Sequence, residues 1–247
     1  MNAAELSKIL EEHKLWITSL GQEGSKADLR DANLRNADLY NANLRDADLR
    51  NANLRDADLC GANLCNADLY NADLRNADLY NADLYNADLR NADLYNADLR
   101  DANLRDADLR NANLRNANLR DADLCGANLC NADLCGANLR DADLCGANLC
   151  NADLCGANLY NADLPDLTFV ILGEKYFISI TNGEYVRAGC QHHTVEEWRN
   201  FSKQEIAEMD GRDALKFYPR LLDIIGFYLG KGSRPEWLTS KEYAKEV

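Results

Sequence analysis

From Ala27-Asp28-Leu29-Arg30-Asp31 to Ala162-Asp163-Leu164-Pro165-Asp166 the chain repeats one five-residue unit 28 times without an insertion. Position one is always Ala, position three is always Leu, and position two is only Asp or Asn. Position four is Arg, Cys, Tyr or, once, Pro; position five is Asn, Asp or Gly. An α-helix cannot use this pattern, because five residues of about 100° each set successive leucines about 140° apart and leave no apolar face. The density of Asn, Asp and Gly disfavours helix further. An extended chain does use it: alternation sends positions one and three to one side and positions two and four to the other. Position five must then turn the corner, and its three residue types suit the left-handed conformation at the third position of a type II turn. A short strand, a corner and the same again make a coil that stacks on itself at about 4.8 Å per rung.

The rest of the composition agrees. Of 247 residues 47% are hydrophobic, but these are mostly Ala and Leu; with 5 Phe, 2 Met and 3 Trp, a mixed core spanning the whole chain is not expected. Forty-one acidic against 27 basic residues give a net charge of −14, which argues against direct nucleic-acid binding and against an anionic membrane surface. The first twenty residues carry Glu5, Glu11 and Glu12, unlike a secretory leader, and no apolar run reaches a membrane span of roughly 18 residues. The cytoplasm is the expected compartment, and the nine cysteines are expected to be reduced thiols.

The A-(D/N)-L-x-x units resemble the signature of the pentapeptide-repeat proteins over 140 of the 247 residues. That resemblance implies a mainly β fold: a right-handed quadrilateral β-helix with four units per coil, hence about seven coils and a rod about 34 Å long. The domain reading is 1–26, an N-terminal helical cap; 27–166, the β-helix; and 167–247, a small C-terminal α+β cap module.

Residues 2–20 read as a helix with Leu6, Ile9, Leu10, Ile17 and Leu20 on one side, ended by Gly21 and Gly24, forming a lid over the first coil. Beyond the repeat the pattern fades through residues 167–171, and strands over 174–181 and 184–189 flank Asn182-Gly183, a hairpin signal. Thr194 with Glu197 and Ser202 with Glu205 are capping boxes that start two helices. A third helix is expected over 213–229, kinked by Pro219 and stopped by Gly230. Its apolar residues exceed one face, so either it is buried in the module or Phe217, Leu221, Ile225, Phe227 and Tyr228 form a homodimer contact. The stretches 189–193, 196–198 and 209–211 also resemble the C-terminal module of phage and prophage pentapeptide-repeat proteins, which carries no assigned activity.

Cys190, His192 and His193 are the strongest candidates for chemistry, as a thiolate–imidazole nucleophile or as zinc ligands. Adjacent histidines on a strand point to opposite sides and a fourth ligand is missing, so neither catalysis, nor metal, nor cofactor is expected. With four units per coil, Cys125 stacks on Cys145, Cys130 on Cys150 and Cys135 on Cys155, slightly too far apart for disulfides.

Charge is more informative. The repeat holds 25 Asp and 13 Arg, so it carries −12 of the −14. Sorted by side, two adjacent sides carry −9 and the other two −3. The candidate acidic surface comprises Asp78, Asp83, Asp98, Asp101, Asp106, Asp121, Asp123, Asp141, Asp143 and Asp163. Such a surface suits a basic protein partner, and the expected role is a non-enzymatic scaffold or protein-binding solenoid. The resemblance implies one alternative, since part of the family mimics B-DNA and binds DNA gyrase; those members, however, often carry Phe at position three and loops between coils. A Cys/His site in the C-terminal module is the second alternative.

Overall fold

Each unit has five backbone N–H groups to satisfy, and the way it does so fixes the architecture. The computed structural model describes residues 1–230 and 232–239 and divides into two compact units, Met1–Pro165 and Asp166–Val247. In the first unit every bridge is parallel and joins residue i to i+20, from Asp28↔Asp48 to Asp143↔Asp163, so four five-residue units make one turn. The third-position N–H donates to the next rung (Leu29 to the Asp48 carbonyl, 2.7 Å), as does the fifth (Asp31 to Arg50, 2.9 Å). The second donates to the rung before (Asp48 to Ala27, 3.0 Å), and the first closes the corner (Ala32 to Leu29, 3.1 Å). Asp31, at the third position of that corner, has φ 56°, and position five is left-handed in every unit through Asn161. At the last unit the left-handed residue is Leu167 (φ 56°) instead of Asp166.

The fourth-position N–H has no carbonyl to meet. It donates to the side-chain Oδ1 of position two in its own unit: Arg30 to Asp28 at 3.3 Å, Tyr80 to Asp78 at 2.9 Å, Cys130 to Asn128 at 3.2 Å. A short side chain ending in a carbonyl or carboxylate oxygen reaches a backbone N–H two residues on, which only Asp and Asn supply. The one fourth position that needs no acceptor is Pro165, which has no N–H. Position two is thus a structural requirement as well as an outward-facing residue.

The leucines from Leu29 to Leu154 are all buried. Burial loosens at the ends, where Ala32, Ala37 and Ala42 in the first coil and Ala157, Leu159, Ala162 and Leu164 in the last are half-buried. At the N-terminal end α1 (Ala3–Thr18), capped reciprocally by Asn2 and Glu5, belongs to the same compact unit. Gly24 lets the chain return against the helix, since a Cβ there would lie 2.2 Å from the Glu12 carbonyl oxygen. The buried His13 ring stacks on Trp16, and its Nδ1 accepts the Ala27 N–H at 3.0 Å, tying helix to coil. Leu20, expected on the apolar side, is instead 90% exposed, because it lies past the helix end in a left-handed turn at φ 56°.

The second unit is an antiparallel meander, β1 (Phe169–Ile171), β2 (Ile178–Thr181), β3 (Tyr185–Ala188) and β4 (Gln191–Thr194), followed by α2 (Val195–Asn200), α3 (Lys203–Leu229) and α4 (Glu236–Thr239). The hairpin at Asn182-Gly183 forms with both residues left-handed, φ 51° and 70°, but β2 begins at Ile178, later than expected. Phe169–Ile171 is not a fading repeat; it pairs with β2, Phe169 opposite Ile180. Both capping boxes form.

Two expectations for the last long helix are corrected. The run Lys203–Leu229 breaks at Asp210-Gly211, between the helix expected after Ser202 and the one expected over 213–229, because Gly211 takes φ 55° and ψ −132°, open to glycine alone; the kink expected at Pro219 does not form, since the Pro219 φ already suits a helix. Leu221 and Ile225 cannot be homodimer contacts, since they lie in the module's own core with Ile178, Ile180, Val186 and Trp198. Phe217 and Tyr228 pack half-buried against that core, and of the five only Phe227 is exposed, at 82%.

Two outcomes follow from this bonding. Asp78→Ala should cost about 1 kcal/mol in urea unfolding by orphaning the Tyr80 N–H, while Asp78→Asn, which keeps the acceptor, should cost little. Burial holds the His13 imidazole below its ordinary 6.5, against weaker upward pulls from the Arg45 backbone and Asp46. Its neutral form is therefore the one the fold binds, so stability should be full above pH 6.5 and decline as the pH falls below it. His13→Gln, which can still accept the Ala27 N–H, should remove that part of the thermal-melt pH dependence.

Candidate functional site

The surface of the coil is set by what its arginines do, and they follow a local rule. Where position two is Asp, the arginine folds back onto it: Arg50 Nε and Nη2 lie 2.8 and 2.5 Å from the Asp48 carboxylate, and Arg90 and Arg100 hold Asp88 and Asp98 alike. Where position two is Asn, the arginine turns to a fifth-position or neighbouring-rung carboxylate, as in Arg120–Asp121 (2.8 Å), Arg140–Asp141 (2.9 Å), Arg105–Asp123 (3.2 Å) and Arg35–Asp56 (3.3 Å). All 13 arginines of the repeat are thereby engaged. Exposed pairs of this kind add only about 0–1 kcal/mol each, but they decide which carboxylates stay unneutralised.

Among the ten acidic candidates the structure makes a division. Asp98, Asp121, Asp123 and Asp141 are paired with arginine. Asp78, Asp83, Asp101, Asp106, Asp143 and Asp163 make no ion pair among the described residues, and all six lie on the two acidic sides. Two residues missing from the sequence-based surface belong with them: Asp38 and Asp58 continue the column through Asp78 at steps of twenty. That spacing was the signal that could have found them. Stacked asparagines hold the corners in register, for example Asn71 donating to Asn51 at 3.0 Å and Asn86 to Asn66 at 3.0 Å.

None of the nine cysteines is in a disulfide. The Cys65 thiol donates to Asp83 at 2.9 Å, and burial, reinforced by that carboxylate, pushes its pKa to about 11. Burial also raises Cys130, followed by the hydrogen bond it shares with the stacked Cys150 thiol. High-pKa thiols are poor nucleophiles. Asp123, Cys125 and Asp143 place three donor atoms within 4.8 Å of one another, and are the one such group among the described residues. Arg105 already engages Asp123.

In the second unit Cys190, His192 and His193 are not brought together. Cys190 is exposed at the β3–β4 turn. His192 stacks on Tyr185 at 5.6 Å, while His193 points to the other side, edge-on to Trp198 at 5.2 Å and Phe201 at 4.8 Å.

A four-sided coil with parallel rungs and an apolar interior is a quadrilateral β-solenoid. The chain belongs to the pentapeptide-repeat family: the family model for pentapeptide repeats matches in eight copies, among them those at residues 27–66, 52–91, 67–106, 92–129, 102–141 and 131–166. Proteins of this family fold as right-handed quadrilateral β-helices. Solved structures similar to this chain include HetL, a pentapeptide-repeat protein involved in heterocyst differentiation regulation in the cyanobacterium Nostoc sp. strain PCC 7120, at 30% identity over 67% of this chain and 98% of that one, with a TM-score of 0.47. Rfr23 from the cyanobacterium Cyanothece 51142 is 27% identical over 62% of this chain and 99% of its own, TM-score 0.24. QnrB1, a plasmid-mediated fluoroquinolone resistance protein, is 19% identical over 57% and 86%, TM-score 0.25. Among curated proteins nothing matches. No helix among the described residues is long and apolar enough to cross a membrane.

The arginine bonds hold Asp28, at about 2, and also Asp48 and Asp73 below the ordinary 3.8. Depressed carboxylates stabilise the fold above 3.8 and lose that contribution as the pH falls through their folded values. Urea unfolding at pH 5, 4 and 3 should show falling stability, with a shallower fall in Asp48→Asn.

Proposed function

We propose that the protein is a non-enzymatic cytoplasmic scaffold whose acidic side docks a basic protein partner. The supporting observation is the segregation of carboxylates: arginines consume their own positive charge locally, and Asp38, Asp58, Asp78, Asp83, Asp101, Asp106, Asp143 and Asp163, which make no ion pair among the described residues, lie on two adjacent sides, with Asp31 outside them. A field of one sign on one side of a rigid rod steers an oppositely charged partner and fixes the side on which it lands. On this reading seven coils form the rod, α1 shields its first coil, and the C-terminal module is a separate cap. A homodimer through that module has little left to use, since Leu221 and Ile225 are buried and Phe227 stands exposed.

Mimicry of DNA is the second reading, favoured by the same carboxylates. A duplex carries about one charge per 1.7 Å, or roughly 20 over this length, against −12 for the whole repeat and −9 for its acidic sides. The lower density and the surplus of arginine-paired aspartates favour an ordinary basic protein over a DNA-reading groove.

The rod supplies its own test, because Tyr70, Tyr80, Tyr85 and Tyr95 occupy the outward fourth position, one on each side of neighbouring coils. With a photo-crosslinking residue at each in turn, partner adducts should form from positions 80 and 85 and not from 70 and 95. They should disappear when Asp78, Asp83, Asp101, Asp106, Asp143 and Asp163 are changed to Asn. Equal adducts from all four sides would remove the proposal. Salt-sensitive inhibition of gyrase supercoiling at micromolar protein, lost in the same variant, would instead assign mimicry, and unchanged supercoiling would dismiss it.

A further inference from the structure

Three stretches far apart in the chain, 189–191, Trp198 and 209–210, meet around one cavity of about 210 Å³ in the C-terminal unit. The cavity lies at the break in α3: Ile206 and Met209 before the non-helical pair Asp210-Gly211, and Ala214 and Phe217 after it, line the same space. A continuous helix would have carried these side chains along one regular surface; the break opens room between them. An apolar void of about 150 Å³ already admits benzene, so this space takes one ring or a short branched chain.

Its walls and its mouth differ in chemistry. The buried rings of Trp198 and Tyr218 line it, with Phe217 set edge-on to Tyr176 at 5.0 Å. At the rim stands the Asp210 carboxylate, which accepts a hydrogen bond from the Tyr176 hydroxyl and has no ion-pair partner among the described residues. The nearby cation, Lys175, is held by Asp213 at 2.6 Å and lies over the Tyr176 ring at 5.1 Å. Asp213 is thus matched by Lys175, with Lys216 also near it, which leaves Asp210 as the carboxylate of the cavity lining without a cation of its own among the described residues. An anionic ligand would meet Asp210 unfavourably, and an uncharged one would leave it unmatched. A cation beside several aromatic faces gains attraction from both ring and carboxylate.

We propose that this cavity binds a small primary amine carrying one apolar group, with the apolar group among Trp198, Phe217 and Tyr218 and the ammonium at Asp210 beside Tyr176. The site is independent of the acidic side of the coil and adds a ligand-binding role to the C-terminal unit.

Calorimetric titration of the full-length protein tests it with three probes of one size: 2-phenylethylamine, 2-phenylethanol and phenylacetate. The amine should bind, the alcohol about tenfold or more weakly, corresponding to one charge-assisted contact, and phenylacetate more weakly still. Asp210→Asn, which keeps an acceptor for Tyr176, should bring the amine down to the affinity of the alcohol and leave the alcohol unchanged. Ala214→Leu, which fills the space, should abolish binding of both while the far-ultraviolet circular dichroism stays the same. Equal affinities for amine and alcohol, an amine affinity untouched by Asp210→Asn, or no heat with any probe at millimolar concentration would overturn the assignment.

Discussion

A coil of this kind stands or falls on the one backbone N–H per unit that the rungs leave over. Four of the five N–H groups find carbonyls in neighbouring rungs or across the corner; the fourth-position group is satisfied by the position-two side chain. Without that acceptor, a donor would be unmatched at every corner of every coil, repeated down the rod. Burying Ala and Leu inside supplies the drive to collapse, but apolar burial has no direction. The hydrogen bonds make the tube square and the step twenty residues.

That same requirement shapes the charged surface of the coil. Because position two must be Asp or Asn, the sequence can choose between a charged and a neutral acceptor at no cost to the backbone. The choice then directs the arginine two residues on. Ala-Asp-Leu-Arg closes on itself, as in Asp98–Arg100, and Ala-Asn-Leu-Arg reaches out, as in Arg120–Asp121. Units with Asp but no Arg, such as those of Asp58 and Asp78, leave their charge to the solvent. The acidic side is thus a consequence of exchanges between Asp and Asn that leave the backbone bonding unchanged.

Most of the rod was legible in the sequence because a strict period admits few structures: inward Ala and Leu and the left-handed fifth residue follow from alternation and sterics alone. The role of position two was not, since an outward Asp looks like a solubility feature until the donor beside it is seen. In the C-terminal unit, where no repeat averages out local ambiguity, rules competed. Pro219 reads as a breaker, yet its geometry suits a helix, and the helix expected over 213–229 runs through it. Leu221 and Ile225 looked surplus to one amphipathic face because the hairpin signal at Asn182-Gly183 does not say which helix the strands cover, and strand Phe169–Ile171 reads as a fading repeat. Among the acidic candidates, Asp98 and Asp123 differ from Asp78 and Asp143 only in which arginine can reach them, a fact of three dimensions.

The two units differ in kind, one a periodic exterior of charge and the other an irregular interior with a cavity. The first depends wholly on the twenty-residue step, and magnetic resonance can read that step directly through scalar couplings across hydrogen bonds. The Leu79 amide should couple to the Asp98 carbonyl and the Tyr80 amide to the Asp78 side-chain carboxylate. A coupling from the Leu79 amide to the carbonyl of Arg75, four residues earlier as in an α-helix, would contradict the account.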